Sequence, residues 1–212
     1  MVILFVLKMI GIINYGMGNL TSVKNALDFL QVPNSIIDKA EEFDTCDKLI
    51  LPGVGAFALA MKNLEDSGLK KSIINFTQEK KKPILGLCLG MQLLFESSTE
   101  HGFHKGLGIV KGEVKDLNET VKDLPVPHMG WNSLNSKDTS LLLKNIPKEE
   151  QVFYFVHSYY CLAADTSMVS ATVDYSITFD VVIEKDNFFG CQFHPEKSQK
   201  SGLQLLKNFG DL

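Results

Sequence analysis

Residues 83–94 read PILGLCLGMQLL, and this stretch indicates the fold more clearly than any other part of the chain. Its first five residues are typical of a buried β-strand, and Leu89–Glu96 has the apolar spacing of a helix. Cys88 stands at the joint, with Gly86 two residues before it and Gly90 two residues after it. This is the pattern of a nucleophile elbow, a strand-to-helix turn so tight that larger flanking side chains would collide.

The elbow predicts a reactive cysteine at Cys88. Such a turn lifts the side chain above the carboxyl end of the sheet, where open α/β folds place their sites. The helix N-terminus and a nearby imidazolium would stabilise a thiolate there. The backbone N–H of Leu89 would point to where an oxyanion forms. The alternative is a buried structural cysteine in a glycine-bounded strand.

A second candidate motif is His194-Pro-Glu196, at the end of a strand-like segment. In an extended chain the side chains of residues i and i+2 point the same way, so His194 and Glu196 can approach each other. A nucleophile needs a base and the base needs a group that orients it, which are the roles these two residues would have. The alternative is a surface histidine near a strand end.

A third candidate is the loop Pro52-Gly-Val-Gly55, between the predicted strand Leu49–Leu51 and a helix. Its glycines leave the backbone free to approach a substrate, and the Val54 N–H could complete an oxyanion hole with Leu89. The alternative is an ordinary turn between strand and helix. A phosphate-binding loop is excluded because no Gly-Lys-Ser/Thr follows.

Outward from these motifs, strands and helices alternate in the first half of the chain. Further strands are predicted at Met9–Ile13 and Ser35–Ile37, and helices at Asn19–Leu30, around residues 57–64 and at Leu69–Lys80. Such alternation implies right-handed βαβ crossovers and a parallel sheet covered on both faces.

The second half is dominated by strand-like segments. They span residues 106–117, 128–134, 152–163, 168–175 and 180–193, and a final helix is predicted at Ser198–Phe209. No linker divides the chain. We therefore expect one α/β domain over residues 1–212, a mostly parallel central sheet flanked by helices, with an additional antiparallel portion in the second half.

Composition excludes several classes of protein. The chain has 212 residues, 45% of them hydrophobic, and a formal net charge of −4 at pH 7. This charge offers no basic surface for nucleic acid, and the apolar content is too high for a disordered chain.

The four cysteines are too sparse for a disulfide framework. His101-x-x-His104 and Cys191-x-x-His194 are each half of a metal site without a second half at zinc-like spacing, so no metal is expected.

The apolar start of the chain resembles a signal sequence only at first sight. It is too short to span a bilayer, no basic segment precedes it, and no small-residue cleavage site follows. We expect residues 1–8 to be an extension before a natural start at Met9, and the protein to be cytoplasmic without membrane association.

Taken in order, the three motifs point to a family. The stretches are Pro52-Gly-Val-Gly55, Gly86-Leu-Cys-Leu-Gly-Met-Gln92 and Phe193-His-Pro-Glu196. With them the chain resembles the class I, triad-type glutamine amidotransferases over nearly its whole length. A narrower resemblance is to the glutaminase subunits of imidazole glycerol phosphate synthases, in histidine biosynthesis. It is carried by Asn14-Tyr-Gly-Met-Gly-Asn-Leu20, Gly106-Leu-Gly108, Pro127-His-Met-Gly-Trp-Asn132, Tyr154-Phe-Val-His-Ser158 and His194-Pro-Glu-Lys-Ser198.

The resemblance implies a reaction and assigns residues to it. Cys88 would attack the side-chain amide of L-glutamine, ammonia would leave, and water would release glutamate from the thioester, with His194 and Glu196 completing a triad. The backbone of Val54 and Leu89 would form the oxyanion hole. The substrate would be held by Gly53, Gly55, Gln92, Ser158 and Tyr159. No cofactor is implied.

The resemblance also implies a partner. Ammonia would pass through a tunnel into a (β/α)₈-barrel cyclase subunit, and the two chains would form a heterodimer. The positions that match residues facing this partner, or signalling from it, are Asn14, Trp131, Asn132, Tyr154 and Lys197.

Three other functions remain open on the sequence. The chain could supply ammonia to a cyclase-like partner in another pathway, such as amidination of a surface sugar. It could be a stand-alone cysteine hydrolase of the same fold, such as a γ-glutamyl hydrolase, active without a partner. It could also be a catalytically silent structural subunit, which the presence of all three triad residues argues against.

Overall fold

The computed structural model describes residues 8–212. Residues 1–7, which hold most of the expected N-terminal extension, lie outside the described residues. In the described part fourteen strands are present, numbered in chain order: β1 (Ile10–Ile13), β2 (Asn34–Ile37), β3 (Lys48–Leu51), β4 (Ile84–Leu87), β5 (Phe95–Ser98), β6 (His104–Lys105), β7 (Val110–Asp116), β8 (His128–Ser133), β9 (Asn135–Ser136), β10 (Val152–His157), β11 (Tyr159–Ala163), β12 (Val169–Tyr175), β13 (Ile177–Lys185) and β14 (Phe188–Cys191).

Six α-helices lie between and after these strands within residues 8–212: α1 (Leu20–Phe29), α2 (Phe57–Asp66), α3 (Leu69–Ile74), α4 (Leu89–Leu94), α5 (Leu117–Thr120) and α6 (Gln199–Asp211). A π-helical turn, Asn75–Glu79, continues α3, so the helix predicted at Leu69–Lys80 is present with a change of winding. None of the helices in the described residues is long and apolar enough to cross a membrane.

The larger sheet has a parallel core and an antiparallel extension. Its strands follow the order β2-β1-β3-β4-β14-β13-β11-β7-β5-β6, with β12 beside β13 and β9 beside β12. The first five strands are parallel to their neighbours, and β13 turns back antiparallel to β14. Strands β8 and β10 form a separate antiparallel pair. The predicted fold class, a mostly parallel sheet with an antiparallel portion in the second half, is confirmed.

Both faces of the parallel core are covered by helices. Val23 and Leu27 of α1 and Leu205 of α6 pack on one face, while Phe57 of α2 and Ile73 of α3 pack on the other. Each of these side chains is almost fully buried. The two apolar clusters hold the sheet rigid, so the loops at its edges are fixed relative to one another.

Two of the strand segments predicted in the second half are wrong as single strands. The segment 152–163 breaks at Ser158 into β10 and β11, which belong to different sheets. The segment 180–193 is the hairpin of β13 and β14, with its turn after Lys185. Alternation of apolar and polar residues continues through such breaks, because it reflects burial and not the identity of the neighbouring strand.

Two boundaries near the middle of the chain also differ from prediction. The helix after Cys88 ends at Leu94, two residues early, because Phe95 is extended (φ −71°, ψ 169°) and begins β5. The strand predicted from residue 106 begins only at Val110. At both places long-range pairing of β5 with β7 overrides the local preference.

The topology brings the three sequence motifs to one edge of the sheet. β3, β4 and β14 are neighbours and run in the same direction, so their carboxyl ends lie side by side. The loop at 52–55 follows β3, Cys88 follows β4, and His194 comes shortly after β14. The Cys88 N–H donates to the Cys191 carbonyl at 2.8 Å, which ties two of these strand ends together.

The elbow depends on close backbone contact at Gly90. A Cβ added there would lie 1.7 Å from the carbonyl oxygen of Leu51, and one added at Gly86 would lie 2.7 Å from backbone atoms of Gly90. Neither neighbour is the end of a flexible side chain. Helix α4 can therefore start directly against β3 and β4 only with glycine at both positions.

We predict that Gly90→Ala destabilises the protein by about 3 kcal/mol or more, because the backbone of β3 must move to admit one methyl group. Thermal unfolding should register a loss of roughly 6–12 °C for a chain of this size. Gly210→Ala is the matched control: its Cβ would meet Val32 at 3.4 Å, an ordinary contact. That variant should be neutral or slightly more stable. Equal melting temperatures for the two variants would contradict the contact at Gly90.

Candidate active site

Cys88 occupies a strained turn with its side chain at the wall of a small cavity. Its backbone is left-handed (φ 53°, ψ −112°), a conformation that non-glycine residues rarely adopt and that costs of the order of 1–3 kcal/mol. The residue is 7% exposed and lines a cavity of about 240 Å³ together with His194. The elbow predicted from the sequence is present. As the first residue of α4, Leu89 has an N–H with no partner inside the helix.

His194 lies between the cysteine and a buried carboxylate. Its Nδ1 is 2.9 Å from Oε1 of Glu196, and the two side chains are only 4% and 2% exposed. On the other side the imidazole faces the cavity that Cys88 also lines. The structure thus brings together the three residues singled out for a triad. The second carboxylate oxygen of Glu196, Oε2, has no partner among the described residues.

The electrostatics of this group favour a charged imidazole. Burial alone lowers the pKa of His194, but its interactions with Cys88 and Glu196, which favour the charged ring, outweigh burial and raise that pKa above its usual value. An imidazolium between a carboxylate and a sulfur atom stabilises the sulfur as a thiolate. The arrangement can therefore supply a charged nucleophile and a proton donor side by side.

Hydrogen bonds from β10 fix the segment that carries His194. The His194 N–H donates to the Tyr154 carbonyl at 3.0 Å. The Ser198 hydroxyl donates to the His194 carbonyl at 2.6 Å and accepts from the Tyr154 N–H at 3.0 Å. Ser198 is almost fully buried, so water does not compete for these bonds. The position of the imidazole is thereby set by the backbone of a neighbouring sheet.

The loop at 52–55 is anchored at its start and open at its tip. The Tyr15 hydroxyl donates to the Pro52 carbonyl at 2.9 Å, and its burial raises the pKa of Tyr15. A Cβ at Gly53 would lie 2.6 Å from that hydroxyl oxygen. Val54, in contrast, is 42% exposed, and Gly55 has a positive φ of 95°. Val54, Gly55 and Leu89 all line the cavity beside Cys88.

Most of the predicted glutamine-binding residues lie at the same cavity. Gln92, Ser158 and Tyr159 line the same cavity, whereas Gly53 is not among the residues that line it. Gln92 is oriented by the protein: its Nε2 donates to the Tyr159 carbonyl at 3.0 Å and to Oε1 of Gln192 at 3.2 Å. With both hydrogens engaged, Gln92 has its carbonyl oxygen left for a ligand.

Two further polar residues of the site are not part of any of the predicted motifs. Gln192 is fully buried, and its Nε2 donates to the Cys88 sulfur at 3.7 Å. Its position two residues before His194, on the same side of an extended chain, was a usable signal. Glu100 lines the cavity, and its Oε2 accepts a hydrogen bond from the Phe57 N–H at the start of α2. Glu100 lies in an irregular turn, and no pattern in the sequence pointed to it.

The residues assigned to a partner interface lie in different settings. Trp131 is 49% exposed on β8 and stands opposite Tyr154 of β10, with ring centroids 5.9 Å apart. The Lys197 ammonium lies 5.9 Å from the centre of the Tyr154 ring, and Lys197 also lines the cavity. Asn132 instead turns inward, and its amide nitrogen is 3.3 Å from Nε2 of His128 and 3.2 Å from the Asp174 carbonyl.

Asn14 follows β1 at the same edge of the sheet as the cavity. It is half-buried, and its side-chain oxygen accepts from the Gly16 N–H at 3.2 Å. Among residues 8–212 no three His, Cys, Asp or Glu side chains are grouped so that they could hold a metal ion. The two half-sites noted in the sequence are therefore not completed by residues from elsewhere in the described chain.

Comparison with known proteins gives a consistent result. The family model for glutamine amidotransferase class-I matches residues 12–211. Imidazole glycerol phosphate synthase subunit HisH of Moorella thermoacetica is 48% identical over 206 residues, covering 97% of this chain and 96% of its own. The protein of the same name from Aquifex aeolicus is 51% identical over 199 residues, covering 93% and 94%.

Solved structures share the architecture at lower identity. A crystal structure of a glutamine amidotransferase superposes with a TM-score of 0.70 at 18% identity, covering 95% of this chain and 98% of its own. The PurLQS structure from Thermotoga maritima gives a TM-score of 0.68 at 17% identity, covering 95% and 97%. These similarities establish a common fold.

We predict that Glu196→Gln slows alkylation of Cys88 by iodoacetamide at neutral pH by about tenfold. The amide keeps the shape and a hydrogen-bond acceptor but removes the charge, so the pKa of His194 falls and the imidazolium is lost at lower pH. Rates are measured by mass spectrometry of the Cys88 peptide. Glu149→Gln, which changes an exposed carboxylate, is the control. An unchanged rate in Glu196→Gln would show that the carboxylate does not support an ion pair.

Proposed function

The chain belongs to the class-I glutamine amidotransferases, and on this basis we propose that it is the glutaminase subunit of an imidazole glycerol phosphate synthase. It hydrolyses glutamine to glutamate and ammonia, and the ammonia is used by a partner subunit. The observation that supports this most directly is that Cys88 and His194 line one small cavity, while the buried carboxylate of Glu196 hydrogen-bonds to His194. Relatives named as HisH subunits, at 48–51% identity over nearly the full length, support the narrower assignment.

The first half of the proposed reaction forms a thioester. The Cys88 thiolate attacks the side-chain carbonyl carbon of glutamine, and the electron pair of the C=O bond moves onto oxygen. The N–H groups of Val54 and Leu89 donate to this oxyanion, and each such donor contributes about 10²–10³ in rate. The His194 imidazolium then protonates the amide nitrogen, the C–N bond breaks, and ammonia leaves.

The second half releases glutamate. His194, now neutral, takes a proton from a water molecule as that water attacks the thioester carbon. The second tetrahedral intermediate collapses with loss of the Cys88 thiolate, and the imidazolium is restored. Glu196 holds the ring in the orientation that both proton transfers require. Acid–base catalysis of this kind contributes about 10²–10⁴ in rate.

The cavity suits a free amino acid better than a peptide. Its volume of about 240 Å³ is below the range of drug-sized ligand pockets. Gln92, Ser158 and Tyr159 present amide, hydroxyl and backbone groups on one wall. Glu100 is a carboxylate on the same lining, with one oxygen bound to the start of α2 and the other left for a ligand. We assign it the α-ammonium group of glutamine.

The partner is proposed to be a (β/α)₈-barrel cyclase that docks over the exposed face of β8 and β10. Met129 and Trp131 are 61% and 49% exposed on this face, and exposed apolar side chains that lie together are typical of a protein interaction site. Tyr154 and Lys197 link the face to the cavity. Ammonia released beside Cys88 would therefore enter the partner without crossing bulk solvent.

In the partner, ammonia would react with a phosphoribulosyl-formimino aminoimidazole nucleotide, giving imidazole glycerol phosphate and an aminoimidazole carboxamide ribotide. We place this heterodimer in the cytoplasm, where thiols stay reduced, because all four cysteines of the chain are free and buried. A stand-alone hydrolase would not need the exposed aromatic face. Supply of ammonia to a cyclase-like partner in another pathway would use the same glutaminase chemistry.

We predict that Cys88→Ala in the complex abolishes glutamine-dependent cyclisation, by a factor of at least ~10³, because the nucleophile is lost. Cyclisation with added ammonium salt should continue at the wild-type rate, since the cyclase does not need the thiol. Product formation is followed with each nitrogen source. Cys46→Ala, at a buried cysteine remote from the cavity, is the control. Glutaminase activity within tenfold of wild type would reject Cys88 as the nucleophile.

We predict that Glu100→Gln raises KM for glutamine by about 10- to 100-fold with a smaller effect on kcat, since a charged hydrogen bond to the ammonium is lost. Glutaramate, which lacks the α-ammonium group, should be hydrolysed equally well by variant and wild type. Glu96→Gln alters a carboxylate outside the cavity and serves as control. An equal loss with both substrates would mean that Glu100 only supports the fold.

A further inference from the structure

Two buried histidines outside the triad lie at the glutamine cavity: His157 is among the residues that line it, and His128 packs behind His157. His128 begins β8 and His157 ends β10, and the two residues are directly paired in register. They are 2% and 6% exposed. Nδ1 of His128 is 3.0 Å from Nε2 of His157, and the rings are nearly perpendicular. No step of the proposed reaction uses either ring.

The backbone carbonyl next to His157 determines which ring nitrogens of the two histidines carry hydrogen. Nδ1 of His157 is 2.9 Å from the carbonyl oxygen of Tyr159, which can only accept, so this nitrogen is protonated. In a neutral ring Nε2 of His157 is then an acceptor, and His128 must donate from Nδ1. Nε2 of His128 in turn accepts from the Asn132 amide at 3.3 Å. The donors all point from β8 towards the cavity.

The surroundings keep both rings uncharged. The His128 ring stacks on Phe155 at 4.6 Å and packs against Tyr175 at 4.1 Å. Burial lowers the pKa of His128 to about 4. Burial, followed by repulsion from His128, lowers the pKa of His157 to about 3.

Besides each other, the titratable groups near the two histidines are Tyr175 on β12 and His194 beyond β10. Among the described residues, no Asp, Glu or Lys side chain hydrogen-bonds to either ring. When both rings are neutral with hydrogen on Nδ1, each ring has one N–H donor and one acceptor nitrogen. All four of these nitrogens are hydrogen-bonded.

The Tyr159 carbonyl connects the histidine pair with the substrate site. Besides His157 it accepts from Nε2 of Gln92 at 3.0 Å. The other hydrogen of that nitrogen goes to Gln192, which donates onward to the Cys88 sulfur. Together with Oε1 of Gln192, the carbonyl therefore sets which way the Gln92 amide is turned, and with it which atom of Gln92 a substrate meets.

We propose that His128 and His157 are positioning residues for glutamine: as a neutral pair they hold the Tyr159 carbonyl, and through it they keep the oxygen of Gln92 turned towards the substrate. The proposal rests on the proposed glutaminase function and adds two residues to its binding site. Because the chain of hydrogen bonds begins at Asn132 on β8, it also connects the strand of the proposed docking face with the glutamine site.

The first test is made on the chain itself and needs no activity. With ¹⁵N-labelled histidine, NMR should find both rings neutral, with hydrogen on Nδ1, from pH 8 down to about pH 5. The signals of His101 and His104, which are not buried, provide the comparison within the same chain. A charged ring at neutral pH, or hydrogen on Nε2 of either buried histidine, would overturn the proposal whether or not the chain is a glutaminase.

The second test compares two substitutions of His157 in the complex with the cyclase. Asparagine places an N–H where Nδ1 stood, so His157→Asn should keep KM for glutamine within about threefold. His157→Leu leaves the carbonyl without that donor, and KM should rise about tenfold, the loss of one hydrogen bond, with kcat changed less than threefold. His104→Leu is the control. Iodoacetamide alkylation of Cys88 without glutamine should be equal in all of them, because the sulfur keeps its own partners.

The outcomes separate this proposal from the function on which it rests. If the wild-type complex hydrolyses glutamine and His157→Leu leaves KM unchanged, or if His157→Asn is as impaired as His157→Leu, the positioning role is wrong and the glutaminase stands. If the wild-type complex does not hydrolyse glutamine at all, the proposed function fails. Should His157→Leu not fold, His128→Leu, which removes the donor to His157, is expected to raise KM in the same direction.

Discussion

The contact between the start of helix α4 and the end of strand β3 is the constraint on which the rest of the site depends. At Gly90 the helix backbone lies against the Leu51 carbonyl with no room for a methyl group. That closeness forces the left-handed turn at Cys88 and aims the first N–H groups of the helix at the cavity. It also places the loop after β3 beside the sulfur. Looser packing would separate Cys88 from the N–H groups proposed as oxyanion donors while leaving the sheet intact.

Most of the parallel core could be predicted from local sequence, and the antiparallel part only in outline. Strands β1 to β4 are short apolar runs bounded by amphipathic helices, and those patterns have few interpretations. The break at Ser158 and the early end of α4 have no local signal. Both are set by which strand lies alongside, and partners such as β5 and β7 are brought together only when the chain has folded.

The residues of the site also differ in whether the sequence could indicate them. Cys88, His194 and the loop at 52–55 stand in compact motifs because each must meet a backbone requirement at a strand end. Glu100 and the two buried histidines carry no such requirement. Their proposed roles rest on what surrounds them: a carboxylate that faces a cavity, and imidazoles enclosed by aromatic rings. Chemistry of that kind is visible only in three dimensions.

The neighbours of the Cys88 sulfur come from a distant part of the chain. Cys88 and Gln192 are separated by 104 positions, and the imidazole comes two residues later still. During synthesis the elbow can form well before the ribosome has released these later residues. Until they arrive, the growing polypeptide holds the Cys88 thiol without the amide and imidazole that lie beside it in the folded protein. We therefore expect a truncated or stalled product to be inactive. Hydrolytic activity would arise only once the last strand and helix have folded.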